Sequence, residues 1–480
     1  MEDVMKTDSR YSVRLPAVFF CVIVLVMAAG TGLAKSPYFD WTYDPIDFNP
    51  PVPERFVFDN GMVVHFLPDD RLPVVTFAAI VRTGEIYVPA DKAGLAGIAG
   101  RTLTTGGTET RSPEEFEAQV DNLGIRLNGS IGDESGELSM NCLSKDVDTA
   151  VALFAELLCK PAFDSARFQL AIDDALEQWR RRNDSPRSII SREFAKLLYG
   201  NHPYGRFPDK TTLEELTRDD VVAFYRRYFT PGNTILAVSG DLTREQLDEL
   251  LYHHFSSWNT KGEKLPEVPV VSDSARTGVF QIAKDINQTN IRFGHLGIDR
   301  KNPDRHALRV MNYILGSGGF TSRMVGRVRS DSGWAYSVGT RMTTANQPGM
   351  FYAACQTNSE NTTKTLSLME WVIEDFLKNG ITKDELATAK ESILNSDVFR
   401  YVTPSQIVEQ YAWLEYYGYP PDQMTKDVEA IKTITKRQVE EVARRYLHPD
   451  KFTILAVGPI DEFDDSLATF GNVETIKLEE

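Results

Sequence analysis

Two stretches of this chain repeat one another. "TRDDVVAFYRRYFTP" begins at Thr217 and "TKRQVEEVARRYLHP" begins at Thr435. Val221 matches Val439, Arg226-Arg227-Tyr228 matches Arg444-Arg445-Tyr446, and Pro231 matches Pro449, all at an offset of 218 (435 − 217). Just beyond, "TILAVSGD" from Thr234 answers "TILAVGPI" from Thr453, one residue out of step. Each unit reads as a polar-capped helix, a proline stop and a buried strand. Solenoid repeats run to about 20–50 residues, so this period marks two related domains built on one plan.

The 480 residues are too many for one ordinary core and fit about two to four domains. The seam falls at "NTKGEKLPEVPVVSDSART", residues 259–277, which is rich in Lys, Glu, Pro and Ser and lacks helical periodicity. The expected units are therefore 35–258 and 278–480. Within the first, "RFVFDNGMVVHFLPDD" is a hairpin turning on Asp59-Asn60-Gly61, and "LPVVTFAAIVRTG" is a strand. "SPEEFEAQVDNLG" predicts a helix with Ser112 as N-cap, Pro113 at its first position, Glu115 closing a capping box and Gly124 as the stop. Residues 164–199 read as two helices broken near Ser185-Pro186. Runs of hairpins and helices favour an α+β layer fold over a doubly wound sheet.

Residues 15–34, "LPAVFFCVIVLVMAAGTGLA", form an apolar run behind Lys6, Arg10 and Arg14. Gly32 and Ala34 stand at the −3 and −1 positions of a cleavage after Ala34, so 1–34 reads as a secretory signal and the rest as exported, in the periplasm. An uncleaved anchor is the alternative, because 20 residues just span a bilayer. No later stretch is apolar enough to do so. A net charge of −16 argues against nucleic acid or an anionic membrane as partner. Beyond Cys21, the cysteines Cys142, Cys159 and Cys355 lack metal or framework spacing and read as small buried hydrophobes, one bridge among them staying open.

The usual hydrolase equipment is missing: there is no Gly-x-Ser-x-Gly elbow, no P-loop and no Gly-x-Gly-x-x-Gly. Of seven histidines, His253 and His254 are adjacent, about 100° apart on a helix, and cannot share a metal from one face. "KAGLAGIAGRTLTTGGT", residues 92–108, reads as a helix burdened with Gly94, Gly97 and Gly100, each costing about 1 kcal/mol in an interior position.

These features, in this order, resemble the M16 metallopeptidases (insulinase, pitrilysin, mitochondrial processing peptidase) over nearly all of the exported chain. "FDNGMVVHFLPDD" is similar to the family's opening hairpin, and "KAGLAGIAGRTLTTGGT" sits where the family carries GLAHxxEHxxxxGT. "NDSPRSII…YGNHPYGRF" and "YFTPGNTILAVSGD" resemble its later N-terminal landmarks. "LGSGGFTSRMVGRVRSDSGWAYSV" is similar to its Gly-rich segment and Arg-to-Tyr element. The resemblance implies two homologous LuxS/metallohydrolase-like domains, each a mainly antiparallel sheet packed with helices.

The family's inverted motif binds zinc through histidines at i and i+4 on one helix, with the intervening Glu activating a water. Laid here without gaps, the first His falls on Gly97, the Glu on Gly100 and the second His on Arg101. The third ligand falls on Gln178, with Glu177 beside it. Glycine offers no ligand and Arg101 stays charged and repels a dication, so no zinc or other cofactor is expected on this chain. The C-terminal pair that faces the zinc in the family is kept as Arg329 and Tyr336, implied to hold a substrate carbonyl and donate to the oxyanion. A solvated arginine and a strand aromatic are the plain alternatives. The resemblance also implies substrate contacts at Asn128, beside the peptide-pairing strand. Gly316, Gly318 and Gly319 read as a loop of close approach or a simple turn, and His202 as structural.

Some M16 enzymes are heterodimers in which one subunit carries zinc and the other brings the Arg/Tyr pair. The expected role is the zinc-free subunit of an exported M16B-type endopeptidase. It would be inert alone, with a zinc-bearing M16 partner and peptide substrates. It would have no nucleic acid and no membrane contact beyond the signal segment. The alternative is a degenerate chain that only holds peptides or scaffolds a complex.

Overall fold

The computed structural model describes residues 48–272 and 275–479; the expected signal segment and its cleavage after Ala34 lie outside them. The first half carries strands β1 (Glu54–Val57), β2 (Val63–Pro68), β3 (Val74–Val81), β4 (Arg126–Ile131), β5 (Gly136–Leu143) and β6 (Thr234–Gly240). Its helices are α1 (Leu95–Thr105), α2 (Pro113–Asn122), α3 (Val147–Cys159), α4 (Ser165–Arg180), α5 (Pro186–Tyr199), α6 (Lys210–Glu215), α7 (Arg218–Tyr228) and α8 (Arg244–Phe255). The second half carries β7 (Gly278–Ala283), β8 (Gln288–Leu296), β9 (Ala335–Met342), β10 (Met350–Asn358), β11 (Thr453–Gly458) and β12 (Val473–Thr475). Its helices are α9 (Arg305–Asn312), α10 (Thr362–Asn379), α11 (Lys383–Asp397), α12 (Pro404–Tyr417), α13 (Gln423–Thr433) and α14 (Lys436–Tyr446).

Local chemistry explains the boundaries. Gly61, at φ 95, makes the turn between β1 and β2, and the Asn60 side chain donates to the carbonyls of Phe255 and Trp258, both at 3.1 Å. Ser112 and Glu115 close the capping box that starts α2. Thr217 starts α7 and Thr435 starts α14, each through a capping box of its own.

The strands form two six-stranded sheets, in the orders β1-β2-β6-β3-β5-β4 and β12-β7-β11-β8-β10-β9. Pairing is mainly antiparallel, as expected, with β2–β6 parallel in the first sheet and β7 parallel to both β11 and β12 in the second. Every residue of β6 and β11 is buried, so each of these strands is covered on both faces.

The structure corrects the register of the repeat. Leu236 and Val238 point into the first half's main core, while Ile454 and Ala456 point into the second's. Ala237 and Leu455 face the other way. Leu236 thus corresponds to Ile454 at the same offset of 218 that relates the helices (454 − 236). The identical letters "TILAV", one residue out of step, place equal residues on opposite faces, because strand side chains alternate with period two.

What covers those other faces is an exchange. α5, from the first half, lies on the second sheet: Ile189, Ile190, Phe194 and Leu198 cluster with Phe280, Ile282, Leu455 and Val457. α12, from the second half, lies on the first sheet: Val408 and Ala412 cluster with Ala78, Ile80, Ile235 and Ala237. The two helices are themselves repeats, Pro186 answering Pro404, Ile189 answering Ile407, and Tyr199-Gly200 answering Tyr417-Gly418, again 218 apart. Glu415 of α12 fixes the exchange electrostatically, accepting from the fork of Arg55 at 2.8 and 2.9 Å.

Candidate functional site

α1 begins at Leu95, so Gly94 is its N-cap, in the left-handed region at φ 96. Its first N–H groups are satisfied from afar: Gly94 and Ala96 donate to the Glu85 carboxylate at 2.6 and 3.2 Å. Gly97 is exposed, with nothing within 4 Å of where a Cβ would stand. Gly100 is buried against β4, and a Cβ there would lie 2.5 Å from the Ile131 backbone nitrogen. One glycine is merely permitted and the other is required.

Arg101, in the place of the second histidine, donates to Asp174 of α4 at 2.8 Å. Gln178, one turn further along α4, lines the same open cavity of about 900 Å³, together with Trp179, Phe207 and Leu213. The fold therefore brings Arg101 and Gln178 to one cavity and adds Asp174, which no motif signalled. These residues do not fit zinc: a guanidinium already neutralised by a carboxylate displaces a dication rather than binding it. Among the described residues, no three His, Cys, Asp or Glu side chains converge as a metal-holding group.

Arg329 stands on a π-helical turn, Val325–Asp331, whose wide pitch is seen where Ser332 N–H reaches the Arg327 carbonyl at 3.2 Å. Gly333, at φ 67, then turns the chain into β9, whose second residue is Tyr336. The Arg329 guanidinium lies against two rings, with its carbon 4.7 Å from the centroid of Phe320 and 4.7 Å from that of Tyr336. Both rings are solvent-facing, Phe320 at 71% and Tyr336 at 79% exposure. No ion pair or side-chain hydrogen bond holds Arg329 among the described residues. The rings contact the guanidinium without taking up its N–H groups, which have no side-chain acceptor among the described residues and can serve a ligand.

The glycines before this turn are explained by packing. A Cβ at Gly316 would meet the Thr340 hydroxyl at 2.4 Å, and one at Gly318 would meet the Tyr313 ring at 2.6 Å. Gly319, at φ 59, is open to solvent space. Asn128 is exposed on β4, opposite Ser139, at the free edge of the first sheet; β9 is the free edge of the second. His202 is buried, its Nε2 2.9 Å from the Pro269 carbonyl. His254 pairs with Asp148 at 3.0 Å. Cys142, Cys159 and Cys355 are free thiols, and burial pushes those of Cys142 and Cys355 up to about 12.

Residues 66–207 match the family model described as insulinase (peptidase family M16), and residues 215–393 match that of the peptidase M16 inactive domain. An uncharacterized zinc protease of Mycobacterium bovis is 26% identical over 347 residues, spanning 71% of this chain and 78% of its own. The crystal structure of a peptidase M16 inactive domain from Pseudomonas fluorescens shares the fold with a TM-score of 0.77 at 25% identity, over 85% of this chain and 98% of that one. The periplasmic protease PqqL of Escherichia coli, at 14% identity, is alike in fold alone; its TM-score is 0.73, over 91% of this chain and 50% of its own. With family models covering both halves and two matching sheets built on one repeat, this chain belongs to the M16 peptidase family.

Proposed function

We propose that this chain is the zinc-free subunit of an exported, periplasmic, heterodimeric M16B-type metalloendopeptidase, and that it lends Arg329 and Tyr336 to a zinc-bearing partner. The observation that carries the reading is the contrast between its two sites. Arg101 is closed off by Asp174, whereas Arg329 contacts rings and no carboxylate, beside the exposed Tyr336. An arginine fork positioned without a carboxylate suits a substrate carbonyl. The Tyr336 hydroxyl is placed to donate to the oxyanion of a tetrahedral intermediate. Zinc in the partner would supply the hydrolytic water. Asn128 on the free edge of β4 would meet extended peptide by strand addition.

The "inactive domain" name of the Pseudomonas structure supports the absence of stand-alone activity. The half-length match to PqqL supports pairing with a second chain, and that protein's periplasmic setting supports export here. The domain limits 35–258 and 278–480, joined by 259–277, belong to the same proposal.

The test is to purify the chain alone and with the zinc-bearing M16 protein that co-purifies, and to measure zinc and peptide cleavage in each. The expected result is zinc and turnover only in the complex, with turnover lost on Arg329→Ala plus Tyr336→Phe. Stoichiometric zinc on this chain alone would sink the proposal, and full activity of the doubly substituted complex would leave a scaffold in its place.

A further inference from the structure

A cavity of about 500 Å³ opens on the second sheet beside the start of α5, on the face that the exchanged helix covers only in part. Three arginines line it: Arg187 from the first turn of α5, Arg292 from β8 and Arg341 from β9; no Asp or Glu does. Strand register sets two of them. Arg341 lies opposite Tyr352, and Arg292 opposite Ala354, so they flank β10 on one face. Strands are spaced about 4.8 Å apart, which puts their backbones about 10 Å from each other across the sheet.

Several arginines of this chain are neutralised by carboxylates, as Arg101 is by Asp174, Arg309 by Asp397 and Arg323 by Glu385. These three are not. Arg187 and Arg341 are exposed, and none of the three makes an ion pair among the described residues. Arg292 stacks on Tyr352, 4.3 Å from its centroid, and donates to the Ser191 hydroxyl at 3.0 Å. Its Nε is buried with no hydrogen-bond partner, an orphan that calls for a ligand. Burial lowers the Arg292 pKa, and the charges of Arg187 and Arg341 lower it further. The cluster is thus held against its own repulsion within a chain of net charge −16. Asn290, Ser337 and Gln356 add neutral hydrogen-bonding groups to the lining.

We propose that this cleft binds a carboxylate carried by the peptide substrate, either its C-terminal carboxylate or an acidic side chain. Three guanidinium groups around one space match an oxyanion. That the carboxylate belongs to a peptide rests on the function proposed above; the anion chemistry rests on these residues alone. Arg341 follows Tyr336 by five positions on the same edge strand (341 − 336). A peptide extended along β9 therefore reaches the cleft about 17 Å from the bond held at Tyr336.

The test is fluorescence anisotropy of the full chain with a labelled alanine-rich peptide ending in Glu-Glu with a free carboxylate. The same peptide amidated, and a Gln-Gln version, serve as the comparison. The acidic peptide binds tightest, and Arg187→Gln plus Arg341→Gln, both exposed positions, weakens it about tenfold without moving the melting temperature. Arg292→Lys, which keeps the charge and loses the fork, weakens it as well. Loss on amidation assigns the C-terminus, and loss on the Gln change assigns the side chain. Equal affinity for all three peptides, no binding of any, or affinity unmoved by the double substitution overturns the inference. Turnover of a neutral peptide by the complex separates the two claims. If turnover still needs Arg329 and Tyr336 while acid preference is absent, this inference alone falls. If acid preference holds while turnover ignores that pair, the proposed function falls and the anion cleft stands.

Discussion

Arg101 donates to Asp174 at 2.8 Å across the gap between α1 and α4. The pair ties the two helices together through charge. The glycines of α1 are packed differently, and their substitutions are expected to go in opposite directions. Gly97→Ala meets nothing within 4 Å and gains about 0.5–1 kcal/mol from lower unfolded-state entropy and better helix propensity. Gly100→Ala drives a methyl to 2.5 Å from the Ile131 nitrogen and loses about 1–3 kcal/mol by overpacking. Urea unfolding of the two variants checks both signs. A Gly100→Ala protein as stable as the parent would mean that α1 does not rest on β4 as described.

Arg329 contacts Phe320 as well as Tyr336, which gives three substitutions an expected order of effect in the proposed complex with a zinc-bearing partner. Tyr336→Phe keeps the stack and removes the hydroxyl, so kcat falls about 10²–10³-fold, the cost of one oxyanion donor. Arg329→Ala removes a substrate contact and raises KM as well. Phe320→Ala leaves both polar groups in place and loosens the arginine, so its effect is the smallest, about twofold to fivefold, matching a cation–π contact of about 0.5–1 kcal/mol. Steady-state kinetics of the complex reads all three. A Phe320→Ala loss as large as that of Tyr336→Phe would show that the ring, not the hydroxyl, meets substrate.

Much of this was legible in the sequence because it is local. Ser112 and Glu115 announce their capping box, Asn60-Gly61 announces its turn, and Pro186 announces the break between α4 and α5. The place of Arg329 and Tyr336 was legible only through the order of motifs around them. Phe320 was not, since nothing about a lone phenylalanine tells which cation will lie on it. Asp174 was equally silent, because pairing with Arg101 depends on how two helices meet, 73 residues apart in the chain (174 − 101). The helix exchange had a signal that went unread: Pro186 and Pro404 lie at the repeat offset, and the apolar faces that follow them belong to different cores. The "TILAV" match misled for the opposite reason, since identical letters shifted by one face opposite sides of a sheet.

The exchange makes the halves energetically inseparable. Phe194 belongs to the first half in sequence, yet is fully buried against the second sheet. Phe194→Ala is expected to cost about 3–5 kcal/mol and to lower the stability of both halves in one cooperative transition. Tryptophan fluorescence and hydrogen exchange across the two sheets test this. Loss of protection confined to residues 278–479 would show that α5 is a detachable lid rather than part of a shared core.

His295 sets the expected response to acid. It is buried, its Nδ1 lies 2.7 Å from the Leu296 carbonyl, and its Nε2 accepts from the His448 N–H at 3.2 Å. That pattern fits only the neutral ring, with the proton on Nδ1. Burial, aided by the neighbouring charges of His448 and Lys451, lowers its pKa from 6.5 to about 4. In the unfolded chain the ring protonates near 6.5. The unfolded state therefore binds the extra proton first as pH falls, and stability present above about 6.5 is lost progressively down to about 4. Over that window the loss from this one ring is on the order of 3 kcal/mol. His65, also lowered to about 4 by burial, adds a second loss of the same sign. Glu370, raised to about 7 by burial and by Glu374, holds its proton more tightly when folded and offsets one of the two. His295→Gln is expected to be less stable than the parent at pH 7.5 and to lose about one proton's worth of slope, roughly 1.4 kcal/mol per pH unit, between pH 6.5 and 4. Urea unfolding across that range measures it. Parallel stability curves for parent and variant would mean that His295 already carries its proton in the folded protein.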